Sequence, residues 1–473
     1  MIQAVTQTDT RNAPALLAAA ADAIPIRGVT VGAWPAVEAA LPPVQRSFAA
    51  ATGFAPKAGR VALLPGEDGR LALILFGLGE AEAAARDRFL AGKLPGVLPG
   101  GTYRFEPADG LDTAEAALAW LLGSYRFERY RKPGEPRPRL VAPEGADAGA
   151  LERIAAAVHA GRDLVNTPAN DLGPAEIEAA IRALGERFGA TVAVTAGDAL
   201  RDGFPLVHAV GAASPRAPRL IDLTWGAEDA PRVTLVGKGV VFDTGGLDIK
   251  PASNMLLMKK DMGGAAAALA AAEMIMGDGL PIRLRLIVPS VENAIAGNAF
   301  RPGDVIRSRA GLTVEIGNTD AEGRLILADA LALADADEPD LLIDFATLTG
   351  AARVALGPDL PAFFTEDEGL ATAVAGAGSS VNDPVWRLPL HAPYAGLLES
   401  KVADLNNAPG GPFAGAITAA LFLRRFAPRT RAHVHFDLFG WNPTTKPGRP
   451  EGGEVQTARL AHALVAGRYP REA

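Results

Sequence analysis

From Pro174 to Leu438 the chain alternates helical patterns with short apolar runs, and nothing else in the sequence restricts the fold as much. The predicted order begins with helix Pro174–Phe188 and strands Thr191–Thr195, Leu206–Val210, Leu220–Thr224 and Val233–Val236. It continues with helix Ala265–Met276, strand Leu284–Pro289, helix Arg324–Asp335, strand Leu341–Phe345, helix Ala414–Arg425 and strand His433–Leu438. Alternation of this kind predicts an α/β fold with a mostly parallel sheet covered by helices on both faces. In such sheets ligands sit beyond the carboxyl ends of the strands.

Charged residues gather at those ends. The stretch Val236–Gly264 (VGKGVVFDTGGLDIKPASNMLLMKKDMGG) is answered by Asn318–Leu325 (NTDAEGRL). Together they hold Lys238, Asp243, Lys250, Asp261, Asp320, Glu322 and Arg324 among glycines and beside apolar strands. Such groups are costly to desolvate unless something compensates them, and a pair of divalent cations would do so.

With 473 residues the chain is too long for one core. Residues 1–150 read as a smaller α/β domain with a structural or assembly role. Its features are a hairpin of Arg60–Pro65 and Arg70–Leu78, helices Ala81–Ala91 and Thr113–Tyr125, and a strand at Arg139–Ala142. Residues 151–168 read as a linker helix, stopped before Pro168 because the residue preceding a proline is pushed out of helical space. Residues 169–473 are left as the catalytic domain.

Hydrophobic residues at 49% give enough apolar surface for a substantial core. A net charge of −8 and a pI near 5.5 argue against nucleic acid as a partner. Without cysteine, disulfides and thiolate metal sites are excluded. The start of the chain shows no signal-peptide pattern, and Ala265–Met276 is shorter than the ~20 residues of a membrane span. The expectation is a soluble, cytoplasmic protein with no membrane partner.

Asp320 and Glu322 stand two apart, which aligns them on a looped or extended backbone but not on a helix. Leu312–Ile316 reads as a strand and Gly323 as the opening of a helix, so both carboxylates point into one pocket. Arg324 then lies at the helix N-terminus, where anions are favoured. The plainer alternative is an Asp N-cap, and Asp261 too could simply cap the alanine-rich helix. Gly237 and Gly239 allow close approach around Lys238. A Gly-Lys-Gly could also bind phosphate, but the spacing of a phosphate loop is absent. A lysine ligates a metal only as the neutral amine, and an ion pair of Lys238 with Asp243 is the alternative.

Lys250 precedes Pro251 and projects from a loop, whereas Lys259 and Lys260 read as charge compensation beside Asp261. Met255, Met258 and Met262 read as packing or a pocket wall, because hard oxygen sites do not recruit thioethers. His433 and His435 alternate along a strand and read as satisfied core or interface histidines. Four carboxylates and one lysine could hold two cations roughly 3.5–4 Å apart around one bridging hydroxide. Lys250 could stabilise the developing oxyanion.

VGKGVVFDTGGLDIKP, MKKDMGGAAA and NTDAEGRL resemble the signature segments of the leucyl aminopeptidase (cytosol aminopeptidase) family of dinuclear metallopeptidases. RDLVNTPAND (Arg162–Asp171), DFATLTGA (Asp344–Ala351) and AGAITAALFL (Ala414–Leu423) are similar to that family as well. The resemblance covers residues 160–440 and keeps order and spacing. It implies a central mixed sheet flanked by helices, with the smaller N-terminal α/β domain attached.

By position, the resemblance implies Lys238, Asp243, Asp261 and Glu322 on one metal, and Asp243, Asp320 and Glu322 on the other. The implied ions are two divalent cations per subunit, Zn²⁺, Mn²⁺ or Mg²⁺. Lys250 would polarise the substrate carbonyl, and Arg324 would hold a bicarbonate acting as general base. Thr347, Leu348 and Gly350 would line the substrate cleft, with Met258 as a wall. The family also implies a homohexamer and peptide substrates with a free N-terminus.

Departures are confined to a few places. Leu256-Leu257 replaces a more polar pair, and Phe439 and Trp441 are bulky at positions resembling the side-chain pocket, which leaves the preferred first residue open. Arg449–Arg459 is unusual in its acidity. The expected activity is metal-dependent removal of the N-terminal residue from peptides. The alternatives are a two-metal phosphoesterase, or a non-catalytic hexameric assembly or DNA-binding regulator that keeps a metal site for stability.

Overall fold

The apolar runs become strands in two units of the computed structural model, which describes residues 14–80, 87–132, 134 and 136–471. Among the described residues one unit runs to His159 and takes in Thr444–Glu451; the other comprises Ala160–Pro443 and Gly452 onward.

The first unit is built on strands β1 (Ile24–Thr30), β2 (Val61–Pro65), β3 (Leu71–Gly79), β4 (Thr102–Phe105) and β5 (Arg139–Leu140), in spatial order β2-β3-β1-β4-β5. The expected hairpin is present: β2 and β3 pair antiparallel, and the Gly66 N–H donates to the Arg70 carbonyl at 2.8 Å. Helices α1 (Trp34–Ala40), α2 (Pro43–Ala51) and α3 (Thr113–Gly123) accompany the sheet, and the Asp112 carboxylate caps α3 by accepting from the Glu115 N–H. Of the helix expected over Ala81–Ala91, residues 81–86 lie outside the described residues, and Leu90–Gly96 forms a 3₁₀ turn containing Pro95. Helix α4 (Ala148–Asn166) follows.

In the second unit the elements run α5 (Pro174–Phe188), β6 (Thr191–Ala196), α6 (Gly197–Gly203), α7 (Pro205–Gly211), β7 (Arg219–Trp225), β8 (Arg232–Gly237) and β9 (Gly239–Asp243). Next come α8 (Ala252–Met255), α9 (Gly263–Gly277), β10 (Arg283–Asn293), β11 (Val305–Arg307), β12 (Thr313–Glu315), α10 (Glu322–Asp335) and β13 (Leu341–Ala346). Then follow α11 (Gly350–Leu356), β14 (Ala362–Phe364), α12 (Glu368–Ser380), β15 (Trp386–Arg387), β16 (Leu405–Asn406), α13 (Gly415–Arg424) and β17 (His433–Asp437). The central sheet has the order β15-β14-β17-β13-β8-β10-β7-β6, with β9 also on β10. Its middle is parallel, whereas β7 on β10, β6 on β7 and β14 on β17 are antiparallel. The sheet is therefore mixed and mostly parallel.

One expected strand is a helix. Leu206–Val210 lies in α7, where Pro205 occupies the first turn and Leu206, Val207 and Val210 are buried. A short apolar run has no period of its own, and Pro205 starts a helix with φ already set. Its N-terminus is secured from α10: the Asp329 carboxylate accepts from the Leu206 N–H at 2.8 Å and from the Arg309 N–H at 2.8 Å. Burial pushes the Asp329 carboxyl up to about 6, against the pull of those N–H groups. A folded-state value above that of the unfolded chain means that this group supports the fold below pH ~4, and the support is lost as pH rises through about 6. Asp329→Asn removes that dependence. The stability margin of wild type over this variant is expected to shrink by on the order of 2 kcal/mol between pH 4 and pH 7, read by denaturant titration.

Helix α9 is buried around nearly its whole circumference, as its alanines require. A Cβ on Gly264 would lie 2.2 Å from the Phe345 carbonyl oxygen, so glycine lets α9 rest directly on β13. This contact brings the N-terminus of α9 to the carboxyl ends of β8 and β13, where the Ala265 N–H donates to the Lys238 carbonyl at 2.9 Å. Among the described residues no helix is long and apolar enough to cross a membrane.

Candidate metal centre

Lys238 follows the last residue of β8, and its N–H donates to the Phe345 carbonyl of β13, which aims the side chain over the sheet edge. Its ammonium lies 2.9 Å from Asp261 Oδ2 and 2.9 Å from Glu322 Oε1, and donates to the Thr347 carbonyl at 2.9 Å. Asp243 closes β9. After it, Gly245 and Gly246 take positive φ and turn the chain so that the Lys250 N–H meets the Thr244 carbonyl at 3.0 Å. That turn returns Lys250 to the strand end, with Nζ 2.7 Å from Asp243 Oδ2 and 2.5 Å from Asp320 Oδ1. The two lysines are thus shared crosswise among four acids, and the simple Lys238–Asp243 pair is not formed.

Neither capping alternative holds. Asp261 sits in a 3₁₀ turn, Met258–Met262, and its Oδ1 accepts from the Thr347 hydroxyl at 2.9 Å, while α9 has no side-chain cap. Asp320 precedes α10, which also lacks a side-chain cap. Asp243, Asp320 and Glu322 each offer an oxygen within 4.8 Å of the others. Asp261 Oδ2, Asp320 Oδ1 and Glu322 Oε1 are buried and, among the described residues, have no partner but the ammonium of a lysine. Buried hard oxygens left in that condition fit divalent cations. Asp320, 31% exposed at its side chain, opens the cluster toward solvent.

The electrostatics follow from crowding. Burial, then the charge of Asp243, pushes the Glu322 carboxyl well above its ordinary range and that of Asp320 to about 6. Burial opposes the charge on Lys238, but Asp261, Glu322 and Asp243 outweigh it and hold its pKa above the usual lysine range. Lys250 is raised in the same way, chiefly by Asp243 against burial. A cation entering this cluster competes with protons.

Arg324, in the first turn of α10, is buried, and burial brings its guanidinium down to about 10. Its Nη1 donates to the Asn407 carbonyl at 2.7 Å, and among the described residues its Nε has no partner. Thr347 connects Lys238 to Asp261, whereas the Leu348 N–H donates to Asp437 Oδ1 at 3.1 Å. Gly350 opens α11, and Met258 is half-buried at the start of the 3₁₀ turn.

Several supporting residues gave no sequence signal, being single amides or acids far from the cluster in the chain. Asn293, opposite Asp243 in the sheet register, donates to its Oδ1 at 2.8 Å. Asn407 accepts from the Gly317 N–H at 2.8 Å and donates to the Asn318 carbonyl at 2.8 Å, fixing the loop that carries Asp320. His433 and His435 flank Asp344 at 2.7 and 2.5 Å as buried core residues, but only one nitrogen of His435 is satisfied: among the described residues its Nε2 has no partner. The segment Arg449–Arg459, expected to stand out as acidic, is balanced, with Glu451 and Glu454 against Arg449 and Arg459, and Glu454 pairs with buried Arg162 at 2.8 Å. Lys260 fills its expected role only in part: the Asp261 charge favours its ammonium without pairing with it, and burial outweighs that and pulls the ammonium down to about 8.

A mixed sheet carrying buried carboxylates and lysines beyond its strand ends defines an α/β enzyme with a centre suited to divalent metal. Residues 159–465 match the model of the "Cytosol aminopeptidase family, catalytic domain", and residues 24–143 that of the "M17 aminopeptidase, N-terminal domain". A probable cytosol aminopeptidase of Nocardia farcinica is 41% identical over 88% of this chain and 86% of its own length. The crystal structure of a cytosol aminopeptidase from Coxiella burnetii superposes with a TM-score of 0.92 at 45% identity, covering 96% of this chain and 99% of that one. The bottromycin maturation enzyme BotP, solved in complex with Mn, superposes at 0.85 with 35% identity over 94% of this chain and 99% of its own. The chain belongs to the cytosol aminopeptidase family and is a metal-dependent aminopeptidase, a hydrolase of the metallo-exopeptidase type. Neither the phosphoesterase nor the non-catalytic reading is favoured by these relatives.

Proposed function

We propose that Lys238, Asp243, Asp261, Asp320 and Glu322 hold two divalent cations per subunit, and that the pair serves removal of the first residue of peptides with a free N-terminus. Three buried carboxylate oxygens with no partner but a lysine ammonium among the described residues carry this reading. Mn²⁺ is the first choice of ion, since BotP is solved with Mn, with Zn²⁺ and Mg²⁺ after it. Bound there, such cations lower the pKa of a water and polarise a carbonyl.

Lys238 takes part as the neutral amine, giving up the proton that Asp261 and Glu322 now hold on it. Lys250, positioned by Asp243 and Asp320, keeps its proton and stabilises charge developing on the carbonyl oxygen. Arg324 directs an unsatisfied Nε to an anion, and bicarbonate acting as general base is the proposed occupant. Thr347, Leu348 and Gly350 line the cleft, with Met258 as a wall. Lys250→Ala is expected to lower kcat about 10²–10³-fold while both metal equivalents remain by elemental analysis. Unchanged turnover, or loss of metal along with turnover, would contradict the role given to Lys250.

The proposal extends to a cytoplasmic homohexamer, with the N-terminal unit in a structural or assembly role. Leu256, Val354 and Phe413 are apolar side chains 82–85% exposed, which suits burial between subunits. Sedimentation velocity should return a hexamer; a monomer at micromolar concentration rejects that part.

A further inference from the structure

Lys260 immediately precedes Asp261 and is 5% exposed. A lysine so buried is ordinarily paired with an acid. Here the adjacent carboxylate is taken: Asp261 Oδ2 faces Lys238 and Oδ1 receives the Thr347 hydroxyl. Among the described residues no acid pairs with Lys260 Nζ and no oxygen accepts a hydrogen bond from it. The ammonium lies 4.6 Å from the centre of the Phe439 ring.

A second cation approaches the same ring. Arg353, on α11, places its guanidinium carbon 5.1 Å from the centre of Phe439, and its Nη2 lies 3.9 Å from where a Cβ on Gly350 would stand. Arg353 also has no acid or hydrogen-bond partner among the described residues. Attraction to the ring face offsets only part of the desolvation of Lys260 and of its repulsion from Arg353. Asp261 and Asp437 attract Lys260 only from a distance, so what the arrangement lacks is a paired anion.

Its position says which anion. Lys260 belongs to the turn that carries Asp261, and Arg353 to the helix opened by Gly350. Phe439 precedes Gly440, whose Cβ would lie 3.0 Å from Thr347 Cγ2 and 3.7 Å from the Lys260 carbonyl oxygen. All three therefore border the metal ligand Asp261 and the cleft segment Thr347–Gly350. We infer that Lys260 and Arg353, on either side of Phe439, receive the first side chain of the substrate and select a carboxylate there, so that the enzyme prefers peptides beginning with Asp or Glu. The inference rests on reading the Lys238–Glu322 cluster as the peptidase centre. An ammonium and a guanidinium give charge-assisted hydrogen bonds to a carboxylate. A leucine side chain would leave the buried ammonium unpaired, the situation in which polar pockets discriminate most strongly.

The test compares kcat/KM of the Mn²⁺-loaded protein on the p-nitroanilides of Glu, Asp, Leu and Lys, and titrates free glutamate and free leucine calorimetrically. Glu or Asp anilide is expected to exceed Leu anilide by about tenfold or more, with Lys anilide the poorest. Lys260→Met should lower the acid-to-leucine ratio by about tenfold or more, and Arg353→Gln, on an exposed side chain that does not endanger folding, should lower it less. A wild type that prefers Leu anilide, or a ratio unmoved in both variants, overturns the inference. A metal-loaded protein that cleaves none of the four refutes instead the peptidase role of the centre. The pocket is then decided by the titrations: glutamate bound more tightly than leucine by wild type but not by Lys260→Met supports it, and equal binding overturns it.

Discussion

Glu322→Gln is expected to strip metal from the centre and lower kcat/KM by more than about a hundredfold. Glu322 is 1% exposed, faces Lys238, and shares with Asp243 and Asp320 the set of oxygens that can reach one ion. Glutamine keeps its shape but offers one neutral oxygen. Burial and the Asp243 charge push the Glu322 carboxyl well above its ordinary range, so a neutral amide there removes a charge that the metal-free fold holds at a cost, which offsets the lost contact with Lys238. The variant should therefore melt where metal-free wild type melts. Added Mn²⁺ should raise the melting temperature of wild type alone, as any ligand of the folded state does. Elemental analysis and calorimetry with and without Mn²⁺ check both parts. A Glu322→Gln protein that retains full metal content and turnover would remove this residue from the centre.

The second large effect comes from a residue with no side chain. Gly323 stands in α10, where alanine is ordinarily better by about 1 kcal/mol. A Cβ at that position would lie 2.4 Å from Lys238 Cε and 2.6 Å from Nζ. Gly323→Ala should reverse the propensity gain, destabilising by about 1–3 kcal/mol through overpacking and driving Lys238 away from Asp261 and Glu322. Metal binding falls with it. Gly376→Ala, on the exposed face of α12, has nothing within 4 Å of the added carbon and serves as the control, with a small gain expected. If Gly323→Ala behaves like Gly376→Ala, the close passage of Lys238 over α10 is not what demands glycine.

The parts of this centre that were legible in the sequence are those that break a local rule. Charged residues among glycines at the ends of apolar runs have no ordinary structural reason to be there, so Lys238, Asp243, Asp261, Asp320 and Glu322 stood out. Which acid each lysine meets was not legible, because it depends on the pairing of β8 with β13 and on the return of the Gly245–Gly246 turn. Asn293 and Asn407 act across 50 and 89 residues of chain and resemble any other asparagine until the fold joins them to Asp243 and Asn318. Lys260 was legible only in part: beside Asp261 in sequence it looked paired, and the Asp261 charge does favour its ammonium, yet the ion pair of Asp261 is made with Lys238. The strand expected at Leu206–Val210 failed because the periodicity of five residues cannot separate strand from helix, and Asp329, which secures α7, is 119 residues beyond Val210.

The crosswise lysines have a further consequence. Four acidic groups, Asp243, Asp261, Asp320 and Glu322, would drive one another apart in a bare protein, but Lys238 and Lys250 act as resident counter-ions, and the formal balance is 2 − 4 = −2 rather than −4. A molecule deprived of its ions therefore keeps the outline of its centre and rests in a dormant, reversible state. With Lys238 in the neutral role proposed for it, reawakening is expected to need ion supply and the departure of a proton, not refolding or fresh synthesis.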